Sequence, residues 1–516
     1  MCSTNVDRSE RLPWLWLAAL AGMQLLLDLA LAPRVMGEGD AAEFTLVLAV
    51  AGVPHPPGYP LYTLFGHAFV CALHALGVGW PFAASLWSVA GAAAATLLTA
   101  ALADHMIPVG TRLALPARLA VVAAALLALA ANPVFLRAAT QAEVYSWQTA
   151  WVAGSALAAL TLWRMLARLE PVRAQHGEAF ALGWGALTGA GLAHHLTSIF
   201  FAVPLGLLLA LAALRARRLS MRVVFAFMVG LVLILLSYGL VAWRAFRPAA
   251  FQWPALEPTA SSVLMHVSGA VYRTFVGGFH PGEADRKLLL SCVMPVAVLG
   301  SAFSVAAAWR ARHDTDAAPL LALLAAVVLQ VAFTLSYGIV DPSPYFLPVM
   351  VVGVVAAARL MAEFAARLTH PLMAGGLALA AMMIVALAWV APEFGHSRRI
   401  AEVDGNLREA FRALPFGRGI VIWDSDSYVR LRAYQLLDGD QPGLVVVNPA
   451  MLTWPAERRA KARALGFDPL AGLRLDSDAD LATVARNIAR QTRLPVVDFA
   501  SWWARSRGLG PAEPAR

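Results

Sequence analysis

The chain has 516 residues, 59% of them hydrophobic and only 14% charged, where a soluble protein would carry about 25% charge. Its 40 basic and 32 acidic residues leave a net charge of +8, yet the arginines sit in short turns between apolar runs, where membrane orientation accounts for them and a nucleic-acid partner is not required. Three cysteines, Cys2, Cys71 and Cys292, have no paired or metal-ligand spacing, which excludes a recognisable disulfide framework or zinc site.

Several apolar runs approach or exceed the roughly 18–20 residues needed to cross a bilayer. The first, 14–33, lacks a small-residue cleavage pattern after it and reads as an uncleaved span. The arginine-bearing turns are Arg8/Arg11, Arg112/Arg118, Arg164/Arg168/Arg173, Arg215/Arg217/Arg218/Arg222, Arg310/Arg312 and Arg359/Arg367. Placing all of them on the cytoplasmic side requires an even number of crossings between neighbouring turns. That condition gives about 11 transmembrane helices, near 14–33, 81–103, 117–132, 147–165, 178–194, 198–214, 222–243, 288–309, 319–339, 345–365 and 372–390. The run 58–76 follows two prolines, contains a third and carries His67 and His74, so it is expected to lie at or dip into the outer surface. Counting it as a twelfth span would put most arginines outside. The expected setting is a multi-pass protein of a bacterial inner membrane, N-terminus cytoplasmic and C-terminus periplasmic. Abundant Ala and Arg with only two lysines, Lys287 and Lys461, hint at a GC-rich genome.

The unusual residues gather in the outer-side segments. In "GEGDAAEF" (37–44), Asp40 and Glu43 lie three apart, on one face of any helix that starts there, and Asp40 has the right type to cap it. The following "GVPHPPGYPL" (52–61) cannot be regular helix, because its prolines fix φ and push their predecessors out of helical geometry. It could fold the next helix back over the acids, with His55 beside them. "NPVFLRAATQAEVYSW" (132–147) sets Arg137, Glu143 and Tyr145 just outside a span. Interfacial anchoring explains the tyrosine and arginine as well as function does, but not a bare glutamate. In "GLAHHLTS" (191–198), His194 and His195 face different ways, and Gly183, Gly185, Gly189 and Gly191 mark close helix packing. The segment 244–286 offers Arg244, Arg247, His266 and Arg273 as cations for a phosphate or for ordinary anionic lipid. "SYGIVDPSPYFLP" (336–348) gives Asp341 and Tyr345, with an Asp-Pro turn as the plain reading.

From Pro392 charges become frequent and strand and helix patterns alternate: "GIVIWDSDS", "YVRLRAYQLLDG", "GLVVVNPAML", "AERRAKARALGF", "DLATVARNIARQT" and "LPVVDFA". Alternation of this kind predicts a small parallel α/β domain. Asp424 and Asp426 follow its first strand, where ligands often bind and where a solvated loop is equally ordinary. The expected division is a membrane domain over 1–391 and an extracytoplasmic α/β domain over 392–516.

Taken in order, "GEGDAAEF…GVPHPPGYPLYTLFG", "QAEVYSWQ", "GLAHHLT", "YGIVDPSPYFLP" and "WDSDSYVRLRAYQLLDGDQPGLVVVNPAML" resemble a branch of the GT-C superfamily of integral-membrane glycosyltransferases. Members of that branch share an HPPGYPL-type motif, and they include an animal protein O-mannosyltransferase. The resemblance implies an all-α polytopic GT-C-like domain with outer-surface helices plus the small C-terminal α/β domain. It also implies a polyprenyl-phosphate (or dolichyl-phosphate) sugar donor, and an acid of the first outer loop, here Asp40, essential to catalysis. Two departures stand out: Ala41 and Ala42 where many relatives have serine or glycine, and WDSDS where GDNDT-like wording is commoner.

Residues and resemblance converge on Asp40 as general base with Glu43 beside it. His55, Arg137, Glu143, Tyr145, His194, His195, Arg244, His266, Asp341 and Tyr345 are the candidates for binding donor or acceptor. The acceptor class stays open between protein, glycan and lipid, and a divalent metal held by the acids is compatible with the sequence but not required by it. A transporter or flippase of a lipid-linked glycan, or a non-catalytic membrane scaffold, would also need many spans and outer cations.

Overall fold

The computed structural model describes residues 11–108, 110–111, 113–167, 176–312, 317–425, 427–473 and 481–506. Arg8, Arg112, Arg168, Arg173 and Asp426 lie outside the described residues. The chain is mainly helical with one small sheet. Among the described residues, eight helices are long and apolar enough to cross a membrane. Leu115–Ala130 and Pro133–Thr140, bent by 71° at their junction, make nine if they count as one span. The helices Tyr145–Ala167 and Gly177–His194 coincide with the two other expected spans but are less apolar, so a count of eleven is not confirmed. The segment 58–76 forms the 16-residue helix Pro60–Ala75, which is not among the long apolar helices.

The chain divides into two compact units. The first comprises Met1–Ala32, Ser88–Ser237 and Tyr272–Gly395. Its core is built on alanine and valine: Ala92, Ala95, Val122, Val152, Ala326 and Val351 are all within a few per cent of complete burial. Small side chains let helices approach closely in a medium that offers no hydrophobic drive between them. Gly300 and Gly353 face each other across two such helices, and a Cβ on Gly300 would lie 2.8 Å from Gly353 Cα. The helices Gly177–His194 and Met221–Leu235 cross in the same way. A Cβ on Gly185 would strike the carbonyl of Phe227 and one on Gly189 would meet the Leu231 oxygen at 2.8 Å, while one on Gly191 would strike the Trp151 ring of the helix Tyr145–Ala167. Gly183 meets nothing within 4 Å and so does not share in this packing. Charge inside the unit is paired: Arg118, 2% exposed, donates from Nε to Asp104 at 2.5 Å, and Arg359, 1% exposed, donates to Glu363 at 3.0 Å. Asp28, fully buried, accepts from Gln24 one turn earlier at 2.8 Å.

The second unit gathers Pro33–Trp87, Tyr238–Val271 and His396–Arg516. Three parallel strands, β1 (Gly419–Ile422), β2 (Leu444–Val447) and β3 (Val496–Asp498), form a sheet in the order β2-β1-β3. The sheet and its helices Tyr428–Asp438, Pro455–Leu465 and Leu481–Gln491 realise the α/β alternation read in the tail. The short helix Ala41–Val50 packs into the core around this sheet through Ala42, Leu46 and Val47, beside Phe411, Trp423, Tyr428 and Val429. Pro60–Ala75 packs beside it and leaves Leu64 and Phe65 exposed. The loop ahead of the acids is tied to the same domain, because Arg430 donates to the Gly37 carbonyl at 2.5 Å.

Candidate functional site

Asp40 stands at the N-cap position of Ala41–Val50, but its backbone is helical (φ −73°) and its side chain makes no capping bond. The carboxylate is left 47% exposed. Glu43, one turn on, is buried. The proline turn brings His55 back to both acids. Its backbone N–H donates to Glu43 Oε1 at 2.6 Å, its Nδ1 lies 3.0 Å from the same oxygen, and its Nε2 lies 3.8 Å from Asp40 Oδ2. The geometry of 51–59 explains the run of Pro and Gly. Ala51, Gly58 and Tyr59 take positive φ, Gly58 at +94° with Val241 Cγ2 only 3.0 Å from where a Cβ would be. Pro60 then opens the next helix at its first turn, where a missing N–H costs nothing.

Burial pushes the Glu43 carboxyl above the ordinary carboxylate range; contact with His55 opposes the shift and the Asp40 charge adds to it. Tyr59, not singled out from the sequence, places its hydroxyl 3.0 Å from His55 Nε2. The Phe44 ring packs edge-on against His55, Tyr59 and Tyr62 at centroid distances of 5.5, 5.6 and 5.2 Å. The H-x-x-x-Y spacing inside the motif was the available signal for Tyr59. One oxygen each of Asp40 and Glu43 and one imidazole nitrogen of His55 lie within 4.8 Å of one another, a donor set able to hold a divalent cation.

The 250–271 segment packs against the turn that carries His55. Trp253 N–H donates to the Val53 carbonyl at 2.9 Å, and His266 Nε2 donates to the Pro54 carbonyl at 3.0 Å. Burial lowers the His266 pKa to about 4, so the ring is neutral and fixed as a donor. Arg244 lies over the Trp243 ring, 4.3 Å from its centroid, and its Nε is buried with no partner among the described residues. Asp424 is exposed.

The remaining predicted residues lie in the first unit. Tyr145, His195 and Tyr345 form a triangle of rings with centroids 5.6–5.8 Å apart, and Tyr337 joins Tyr345 at 5.7 Å. The two histidines part company as adjacent residues should. His194 Nε2 bonds the Val144 carbonyl at 2.9 Å, whereas His195 Nδ1 meets Thr197 Oγ1 at 2.7 Å. Glu143 is positioned through its backbone, its N–H and carbonyl both bonded to Ser88 Oγ at 3.0 Å. Arg137 makes a two-pronged pair with Glu393, both contacts at 2.9 Å, so its guanidinium already has a carboxylate. Asp341 is exposed in the turn before Tyr345.

A family model described as the protein O-mannosyl-transferase TMEM260 N-terminal domain matches residues 40–220, which begins at Asp40 and runs through the proline motif and the paired histidines. No curated protein matches the chain in sequence. Among solved structures, the Archaeoglobus fulgidus oligosaccharyltransferase tethered with an acceptor peptide is similar at 13% identity and a TM-score of 0.47, covering 84% of this chain and 64% of that one. The same archaeal enzyme, AglB, in complex with an inhibitory peptide and a dolichol-phosphate gives 12% identity and a TM-score of 0.46, covering 84% of this chain and 65% of that one. This chain thus spans less than two thirds of those structures' length. Over residues 40–220 it is similar to the protein O-mannosyl-transferase TMEM260 N-terminal domain.

Proposed function

We propose that the chain is a membrane glycosyltransferase that moves a sugar, mannose by preference, from a polyprenyl-phosphate-linked donor to a hydroxyl acceptor at the outer face of the membrane. The observation that carries this reading is the Asp40–His55–Glu43 cluster: one accessible carboxylate beside an imidazole held by a buried one. The family-model match over the same residues supports it, and favours a protein among the acceptors left open.

In this mechanism the acceptor oxygen bonds to the anomeric carbon while Asp40 takes its proton. The bond from that carbon to the donor phosphate oxygen breaks, and polyprenyl phosphate leaves with the electron pair. A single base with attack opposite the leaving group inverts the anomeric carbon; retention would call for a carboxylate nucleophile, by analogy with glycoside hydrolysis. Glu43 fixes the His55 ring, and His55 and Tyr59 shape the surroundings of Asp40. Arg244, with its unpartnered Nε, suits the charge developing on the phosphate better than Arg137, which is bound to Glu393. Within the first unit, and apart from the Asp40 step, the Tyr145, His195 and Tyr345 rings form a cluster suited to stacking on a sugar ring. A divalent cation, if bound, would be held by Asp40, Glu43 and His55 and would supply charge stabilisation.

The test is transfer of label from polyprenyl-phosphate [³H]mannose by membranes containing wild type or Asp40→Asn. Loss of a positioned general base is expected to cost roughly 10²–10⁴-fold in rate. Equal transfer by both proteins would remove Asp40 from the mechanism.

A further inference from the structure

We propose that the first unit binds one anionic phospholipid of the bilayer in a cavity among the helices Tyr145–Ala167, Gly177–His194, Ile199–Arg215 and Met221–Leu235. The inference is independent of the transferase reading. The cavity has a volume of about 540 Å³, within the roughly 300–1,000 Å³ usual for small-molecule sites. Its wall is almost all carbon, from Leu166, Phe180, Trp184, Leu209, Val223 and Phe227. Left empty, such a wall forfeits dispersion contacts, and in a bilayer the group at hand to restore them is a lipid chain.

The polar residues fix which lipid. Arg218 and Ser220 line the cavity from the turn that joins two of the helices. Arg218 is aimed there by a helix-ending turn in which its N–H bonds the Ala213 carbonyl at 2.8 Å and the Arg217 N–H bonds Leu214 at 3.0 Å. That turn holds Arg217 at φ +53°, a conformation usually left to glycine. Arg215, Arg217, Arg218 and Arg222 crowd this turn, and none of their side chains has a hydrogen bond or ion pair among the described residues. Among the described residues, Glu178 is the sole acid lining the cavity. Orientation in the membrane would account for a basic turn, but not for a carbon-lined cavity opening beside it. An acyl chain inside with a phosphodiester at Arg218 satisfies both features, whereas a zwitterionic headgroup would leave the excess positive charge of the described residues unmatched.

The full chain, purified in detergent and stripped of lipid, would be titrated with phosphatidylglycerol, phosphatidylcholine and polyprenyl phosphate and read by native mass spectrometry. One phosphatidylglycerol per chain should bind at about tenfold lower concentration than phosphatidylcholine. Arg218→Glu should abolish that preference. Gly206→Leu should block retention of either lipid, because it projects into open space where the nearest atom to a new Cβ is Trp184 Nε1 at 3.9 Å. Equal binding of the two phospholipids, or retention undiminished by Gly206→Leu, would overturn the proposal. Tighter binding of polyprenyl phosphate than of phosphatidylglycerol would overturn it in favour of a donor site.

Discussion

His266 holds the Pro54 carbonyl with a neutral, buried ring, and its burial, which that bond only partly opposes, makes the protein's stability depend on pH in a definite direction. In the unfolded chain the ring titrates at its ordinary value of 6.5; in the fold, at about 4. Below pH 6.5 the unfolded chain therefore binds a proton that the folded one refuses. The stabilisation is complete above pH 6.5 and is lost progressively as pH falls toward 4, amounting to about 3 kcal/mol at the acid limit. Melting temperature in detergent should drop between pH 7.5 and 5, and His266→Gln should flatten that slope while lowering the plateau at pH 7.5. A variant whose slope matched wild type would show that His266 is not the titrating group. Sequence alone marked this histidine as a cation for phosphate, since nothing in its neighbours announces the Pro54 carbonyl 212 positions away. Asp40, Glu43 and His55 were legible because the acids are one turn apart and the proline run can only be a turn. Arg137 was legible as a charge but not as half of a pair with Glu393, which is 256 positions distant.

Helices in the first unit are specified by small residues as much as by large ones. Gly230 sits where a Cβ would strike the Leu182 carbonyl and come within 2.8 Å of the Ala186 nitrogen, so both contacts are backbone and neither can swing aside. Gly230→Ala must push two helices apart and is expected to cost about 1–3 kcal/mol. Gly183→Ala meets open space and removes a flexible helix-interior residue, so it should be neutral or stabilising by up to about 1 kcal/mol. Thermal unfolding of the two variants in detergent separates these outcomes, and equal melting temperatures would refute the packing argument. The run of glycines around 183–191 was readable as a packing surface, but which of them touch the neighbour was not. That depends on the phase of the helix against its partner, a property of the pair.

At the scale of the chain, the membrane character followed from the length of the apolar runs, and the parallel sheet from the strand and helix alternation in the tail. What composition could not convey is that Pro33–Trp87, Tyr238–Val271 and His396–Arg516, separated by long stretches of sequence, make one compact unit. The ties that close it are single contacts between distant residues, which leave no periodic trace. Arg430 is one of them. It is 5% exposed, reaches the Gly37 carbonyl just ahead of Asp40, and stands 3.6 Å from Asp404, which also accepts from the Tyr434 hydroxyl at 2.6 Å. The C-terminal segment of this unit thereby holds the entry to the acid-bearing helix. Arg430→Ala strands a buried carboxylate and frees the 37–40 loop, for an expected loss of about 3–5 kcal/mol. Asp404→Asn on that background removes the stranded charge and should recover part of the stability. It should not recover transfer activity, because the Gly37 contact stays broken. Melting curves and labelled-mannose transfer on both variants check the two halves separately. Full recovery of activity in the double variant would mean that the Arg430–Gly37 bond does not position Asp40.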